Sequence, residues 1–600
     1  MLSSIRPNQQ TKEGVSSKDN ARHPLFFANY KDIAYLCIMK RLFTSIIPKS
    51  YRRRAVGVAV TIFLRALLNF VGIALFVPVL VVILDRESIT KEGYFSAIYD
   101  GLGFSSYTSF AITISLGVVA VIILKNIIAL LLYRSERNFT YGLYKHLSER
   151  LYIGYHNRGL GFIKHSNSAL LTRNVNVVSL MFVVGVIKPI ATIVGEIMLF
   201  ALLFIAMMCY SPIAALLAVA VIIPVILLFY FVVRRKLNDI GIRENEAQRT
   251  KSRIVAETFR GYSDIEIGGA FPEMYDRFES AMDEVVALRK RNATIGMLPQ
   301  MFTETGMALG MAGLVILSVV VSSTDIGLLF GIFAVAVMRL IPSIRNIMSS
   351  WSALRYNRYT IDVVAEATDE NINIDRTIDR FHFSKEIELD DLSFKFDDAD
   401  TETISNLSLK ISKGERVGIK GASGVGKTTL FNLMLGLYAP TSGKILVDNE
   451  ELNKDNIRKW QNSIGYVSQS VFIADMSLAE NVALGTSTDK IDFERVMRVL
   501  EMADLKEFVA SLPEGIHSRI GEQGSRLSGG QRQRIGIARA LYKECDILFF
   551  DEATSSLDSH TEENINSAIR RLSADNRALT IVVIAHRDSS LEYCDRIIDL

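Results

Sequence analysis

A membrane α-helical bundle of six spans followed by one α/β domain is the fold class that the sequence predicts. Three observations predict it. Of 600 residues, 49% are hydrophobic and the mean hydropathy is +0.25, high for a water-soluble chain. Long apolar runs fill the first 340 residues and then stop. From about residue 387 the pattern changes to short β-rich runs, "KILVD", "SIGYVS", "DILFFD" and "LTIVVIAH", set between helical stretches.

The elements follow in chain order. Residues 1–35 form a polar tail without a secretory signal. Residues 36–54 read as a basic amphipathic segment on the inner membrane surface. Apolar runs at 55–84, 109–133, 180–208, 212–233, 297–321 and 325–342 approach the roughly 20 residues that a span needs. Short breaks, "CYSP" and "SSTD", join the third run to the fourth and the fifth to the sixth, and both read as tight turns. Lys and Arg crowd "YRRR" (51–54), the segment after the second run and the segment after the fourth, whereas 85–108 holds only Arg86 and Lys91 among four acids. That bias puts both termini and the two long loops in the cytoplasm. The loops mix apolar and charged residues at helical spacing, so the spans are expected to continue as helices that turn near 161–167 and 260–264. The transmembrane domain is thus placed at 36–354, a polar linker at 355–386 and the α/β domain at 387–600.

Composition excludes several functions. The formal net charge of +3 names no nucleic-acid partner. Cys37, Cys209, Cys545 and Cys594 are scattered without a CxxC pair, so neither a disulfide framework nor a zinc site is indicated.

The chemistry lies in the second half. "RVGIKGASGVGKTTL" reads as strand, glycine loop and helix, the context of a P-loop. Gly421, Ala422, Ser423, Gly424, Val425 and Gly426 wrap phosphates with backbone N–H groups, continuing into Thr429. Lys427 reaches the β/γ oxygens, and Thr428 offers its hydroxyl to Mg²⁺. "DILFFDEATSSLD" is an apolar strand that ends in two carboxylates. Asp551 suits the Mg²⁺ shell, and the neighbouring Glu552 can act as general base on the attacking water. "VSQS" and "IAHR" each place one polar residue after an apolar strand: Gln469 can reach metal or water, and His586 the γ-phosphate. A second anion-binding helix start, "SRLSGGQRQRIGIARAL", carries Ser528, Gly529, Gly530 and Gln531.

The order of P-loop, Gln, "LSGGQ" (Leu527–Gln531), Asp-Glu and His resembles the ATP-binding cassette (ABC) proteins. Six spans followed by one cassette resemble a half-transporter of the exporter type. The resemblance implies ATP and Mg²⁺ as cofactors and two cassettes paired head to tail; the intact motif set makes a pair of identical chains self-sufficient, with a heterodimer as the alternative. Each ATP then lies between one chain's P-loop and the other's Ser528–Gln531. It further implies that Phe396 stacks on adenine, that Asp558 lies in a loop crossing the dimer and that "GEQG" (521–524) faces the partner's cytoplasmic turns. Cassettes of this kind continue past "CDRIIDL" into another strand and a helical tail, whereas this chain stops at Leu600.

Ionisable residues inside spans are functional candidates by default. Arg65, Lys125, Glu196 and Glu304 qualify, with Glu196 nearest the middle of its run. Charges of both signs suit an amphiphile with an anionic head. "GIALFVPVL" (72–80), "LKN" (124–126) and "RLIPSIRNIMSSWSALRYNRYTID" (339–362) resemble bacterial lipid-linked oligosaccharide flippases. The expectation is an ATP-hydrolysing flippase of the bacterial inner membrane that carries such a lipid from the cytoplasmic to the outer leaflet. The alternatives are an exporter of other lipids, drugs or peptides and, in another class, an ATP-gated channel or regulatory membrane protein.

Overall fold

The computed structural model describes residues 49–75, 106–210, 212–233, 236–320, 326–368, 374–521 and 527–552, with parts of 99–104 and 562–600. The chain divides into two compact units, and Asn157–His165 belongs to the second of them together with Asn373–Leu600.

The first unit is helical. Helices α1 (Lys49–Ala74) and α2 (Tyr107–Asn157) precede α3 (Gly159–His165), the short helix that belongs to the second unit. Then follow α4 (Ser168–Arg173), α5 (Ser179–Phe182) and α6 (Lys188–Tyr210), joined without a break by π-helical turns at Asn174–Val178 and Val183–Ile187. Next come α7 (Pro212–Val233), α8 (Lys236–Arg260), α9 (Tyr262–Ile267), α10 (Phe271–Val320), α11 (Ile326–Tyr356) and α12 (Tyr359–Thr368). Each of the six expected apolar runs falls wholly or partly on these helices; 76–84 of the first run, 321 of the fifth and 325 of the sixth lie outside the described residues. Among the described residues, three helical stretches are long and apolar enough to cross a membrane: Tyr51–Ala74, Tyr107–Asn157 and Ser168–Cys209. Large apolar side chains such as Leu116, Ile123 and Leu130 stand exposed on α2, as on a surface that another apolar phase covers.

Two expectations change. Lys49–Arg54, placed in a separate surface segment at 36–54, opens α1 and runs on into the span; residues 36–48 lie outside the described residues. The stretch 355–386 is not one polar linker. It begins with the end of α11 and with α12, whose Val364 and Ala365 are buried against Leu143, Leu147 and Phe182 of the helical unit. It ends with Phe381 and Phe383 buried in the α/β core. Polar composition hid this because only one face of each piece is apolar.

The long loops are helical, as their spacing predicts. α8 buries Leu237, Ile240, Glu244 and Ala247 on one face, at intervals of three and four residues. That face packs against α10, which buries Ala281, Val285 and Leu288, while Arg243 pairs with Glu284 at 2.9 Å beside the seam.

The second unit holds two sheets. β1 (Glu386–Phe394), β2 (Ile404–Ser412), β4 (Ser442–Val447) and β5 (Glu450–Glu451) form an antiparallel sheet in the order β2-β1-β4-β5. β3 (Arg416–Lys420), β6 (Ile464–Val467), β7 (Ile547–Asp551), β8 (Thr580–Ile584) and β9 (Arg596–Asp599) form a parallel sheet in the order β6-β7-β8-β3-β9. β7 and β8 are buried along their whole length, as uniformly apolar strands must be. Alternate strand residues feed two cores: Phe549, Val582 and Ile584 meet Leu430 and Phe431, whereas Leu548, Phe550 and Val583 meet Ile535 and Ala538.

Asp448 ties the entry of this domain in place. Its carboxylate accepts hydrogen bonds from Ser384 N (2.6 Å), Ser384 Oγ (2.8 Å), Lys385 N (2.7 Å) and Glu386 N (2.9 Å). Burial pushes its pKa up, but these donors outweigh burial and hold it below the usual carboxylate value. Asp448→Ala is expected to destabilise the domain by about 2 kcal/mol, because four donors lose their acceptor. The native advantage holds above the unfolded-state pKa near 4 and disappears as pH falls through the depressed folded value. Melting curves of both proteins at pH 7 and at pH 3 check this: the gap must narrow in acid.

Candidate functional site: a nucleotide cradle at the strand ends

Parallel strands present their carboxyl ends on one edge, and ligands bind there. The P-loop follows β3, Gln469 follows β6, and Asp551 and Glu552 close β7. The order β6-β7-β8-β3 makes these strands near neighbours, so motifs more than 80 residues apart meet at one edge.

The P-loop forms as its sequence predicts. Gly424 and Gly426 take φ of 86° and 108°, values that L side chains avoid. A Cβ on Gly426 would lie 3.0 Å from Thr403 O, whereas one on Gly424 would meet nothing within 4 Å. Gly426 caps α13 (Lys427–Met434), which aims its positive dipole end at the loop. Lys427 is buried, and its Nζ donates to Gly421 O (2.8 Å) and Ala422 O (3.0 Å), folded back along the loop that phosphates would fill.

Asp551 is 2% exposed and accepts from Thr428 Oγ1 at 3.4 Å. Burial first, and the adjacent Glu552 second, push its pKa up to about 6; bonds from Thr428 and Tyr466 and the charge of Lys164 pull the other way. A buried carboxylate beside a threonine hydroxyl is the hard-oxygen donor set that Mg²⁺ takes, and a divalent cation favours the ionised form. Among the described residues no cluster of three His, Cys, Asp or Glu side chains can hold a metal ion.

Glu552 Oε2 accepts from Gln469 Nε2 at 2.8 Å. Its backbone sits at φ 49°, held there by a 3.0 Å bond from its N–H to Ile584 O. His586, Asp558 and Glu522–Gly524 lie outside the described residues.

The second cradle opens α18. In chain order α14 (Ile457–Ser463), α15 (Leu478–Val482), α16 (Phe493–Met502) and α17 (Lys506–Ser511) precede it, and α18 itself is Gly529–Tyr542. Ser528 caps it: Ser528 Oγ accepts from Gln531 N (3.1 Å), and Gln531 Oε1 accepts from Ser528 N (2.9 Å). This assigns Gln531 a local capping task and leaves the helix start to the N–H groups of Gly529 and Gly530. A Cβ on Gly529 would meet nothing within 4 Å. α18 packs in one core and the P-loop helix α13 in the other, so the parallel sheet lies between the two cradles.

Five side chains beside these motifs escaped the sequence reading. Buried Gln533 donates from Nε2 to Gln469 O at 2.6 Å, tying α18 to the segment that carries Gln469. Tyr466 hydrogen-bonds Asp551. Phe396 does not stand alone: Phe394 lies 4.9 Å away edge-on, and Tyr438 5.7 Å away, with Lys164 of α3 6.0 Å from the Tyr438 ring. "GQRQR" and "GYVSQ" show polar residues near the motifs, but not which way they face.

The ionisable residues within spans have partners. Arg65 pairs with Glu136 at 3.2 Å and lies over Tyr133. Glu196 accepts from Ser343 Oγ (2.7 Å) and Asn346 Nδ2 (2.8 Å), fastening α6 to α11. Glu304 accepts from Gln300 one turn earlier, at 2.9 Å. Lys125 packs its stem near Gly72. Arg65, Glu196 and Glu304 thus answer to different neighbours rather than to one another.

Residues 404–555 match the ABC transporter family. The chain carries an ABC transporter domain and has the fold of an ABC exporter. The fold rests on a likeness to a bacterial Atm1-family ABC exporter solved with ATP bound, at TM-score 0.72 and 21% identity, covering 92% of this chain and 94% of that one. Among relatives, the ATP-dependent lipid A-core flippase of Cupriavidus pinatubonensis is 33% identical over 64% of this chain and 65% of its own length. That of Ralstonia nicotianae is 33% identical with the same coverage. The chain therefore spans slightly less than two thirds of the length of the curated relatives it matches. The matched residues 404–555 include Gly421–Thr429, Gln469, Leu527–Gln531 and Asp551–Glu552, on a chain with three described helical stretches long and apolar enough to cross a membrane.

Proposed function

We propose that this chain is half of an ATP-driven flippase of the bacterial inner membrane. It moves a lipid-linked oligosaccharide or related amphiphile from the cytoplasmic to the outer leaflet, with both termini and the cassette in the cytoplasm and a second, identical chain as partner. The observation that carries the reading is the 2.8 Å bond from Gln469 to Glu552 beside the P-loop, on a chain with three described helical stretches long and apolar enough to cross a membrane. Relatives named lipid A-core flippases support the class of cargo.

In this reading Lys427 leaves the Gly421 and Ala422 carbonyls for the β/γ oxygens of ATP, and Phe396 carries the adenine. Thr428, Asp551 and Gln469 would hold Mg²⁺, which supplies charge neutralisation to the phosphates. Glu552, oriented by Gln469, takes a proton from the attacking water, and His586 contacts the γ-phosphate. Ser528, Gly529 and Gly530 complete the partner's site. The burial of the two cradles in different cores supports this, because two helix starts separated by a sheet do not share one phosphate. ATP then favours the closed pair, and its loss the open one. Within the spans Arg65, Lys125, Glu196 and Glu304 are the residues proposed to face the cargo.

The test is ATPase activity in liposomes. Stimulation by polyprenyl-diphosphate sugars or by lipid A with its core, and not by sugar-free lipids or drugs, is expected. Equal stimulation by unrelated amphiphiles would refute the glycan cargo.

A further inference from the structure

The helical unit contains a cavity of about 840 Å³ that the sequence did not announce. Its walls come from α4 and the π-helical turn after it, from α8, from α10 and from the α11–α12 junction. π-Helical turns inside long helices recur at functional sites, because the extra residue re-aims its neighbours. Here the turn contributes Asn176 and Val177 to the wall.

The lining has a particular chemistry. Asn176, Asn245, Gln248 and Asn292 bring four carboxamides. Among the described residues, no hydrogen bond within the protein engages the side chains of Asn176, Gln248 or Asn292. Each carboxamide donates and accepts, which matches hydroxyl groups that do both. The charges are nearly balanced. Buried Glu244 accepts from Arg289 Nε at 2.8 Å and from the Tyr356 hydroxyl, and Arg173 donates to Asn245 Oδ1. Tyr356 and Tyr359 also line the cavity, and aromatic side chains suit the C–H surface of a sugar. Val177 and Met181, 40% and 39% exposed, extend the wall towards the 180–208 span. The wall thus combines polar and apolar side chains, and the volume is that of a small-molecule site.

We propose that this cavity binds the sugar head of the transported amphiphile through Asn176, Gln248 and Asn292. The assignment rests on the reading of the chain as an amphiphile translocator.

The full-length protein in nanodiscs is titrated with lipid A bearing its core oligosaccharide, with lipid A alone and, in a separate binding measurement by saturation-transfer NMR, with the free core oligosaccharide. For wild type, the core-bearing lipid is expected to reach half-maximal ATPase stimulation at lower concentration than lipid A alone. Gln248→Leu with Asn292→Leu raises that concentration about tenfold for the core-bearing lipid and less than about twofold for lipid A alone, and it abolishes oligosaccharide binding. Asn176→Leu, at an exposed position, gives a smaller shift in the same direction even if the double variant misfolds. Oligosaccharide that fails to bind wild type, or binds the variants equally well, overturns the sugar site. If neither lipid stimulates ATPase while the oligosaccharide binds wild type and not the variants, the sugar site stands and the transport reading falls.

Discussion

Glu552→Gln is expected to bind ATP and to lose turnover by about a hundredfold or more, the contribution of a general base. The substitution keeps the shape of the side chain and an oxygen that can still accept from Gln469, whose bond to Glu552 is 2.8 Å long. It removes only the capacity to take a proton. The left-handed backbone at this position, φ 49°, is unaffected by a change beyond Cγ, so folding should not confuse the result. Nucleotide affinity, single-turnover hydrolysis and the fraction of closed dimers in ATP are the three measurements. Unfilled turnover with retained affinity and accumulated closed dimer is the expected set. Hydrolysis at the wild-type rate removes Glu552 from the base role and leaves Asp551, buried and hydrogen-bonded to Thr428, as the remaining carboxylate.

The second large effect concerns where the α18 cradle acts. Mixed dimers that carry Lys427→Ala on one chain and Gly529→Asp on the other are expected to turn over at least about tenfold faster than dimers with both changes on one chain and none on its partner. If a site joins one chain's P-loop to the other's α18, the first arrangement concentrates both lesions in a single site and spares the second. The other arrangement damages both. Gly529 suits the test because a Cβ there meets nothing within 4 Å of its own chain, so an aspartate damages what approaches from outside. Its charge also opposes phosphate at the helix start. The reverse order of activities would place both cradles on one nucleotide within a chain, against their separation by the parallel sheet.

Much of the site was legible because nucleotide chemistry fixes residue types at fixed spacing. Gly424 and Gly426 occupy positive-φ positions, and Asp551 ends a strand buried along its length, as "GASGVGKTT" and "ILFFD" imply. Gln533 was not legible. Its residue type fits a solvated helix face, and only the packing of α18 against β6 turns it towards the Gln469 carbonyl. The 355–386 stretch misled for a related reason: α12 is short and one-sided, and its buried face is recognisable only once Leu143 and Phe182 are beside it.

The sequence by itself determined the apolar helices, the order of the strands' motifs and the glycine loop before α13, because hydropathy, periodicity and glycine placement are local properties of the chain. The tertiary structure alone decided that Gln469 meets Glu552, that Arg65 answers to Glu136, and that the carboxamides of three separate helical segments line one cavity. These are contacts across long separations in sequence, and their geometry depends on how strands order in a sheet and how helices rotate about their axes, which no short stretch of residues encodes.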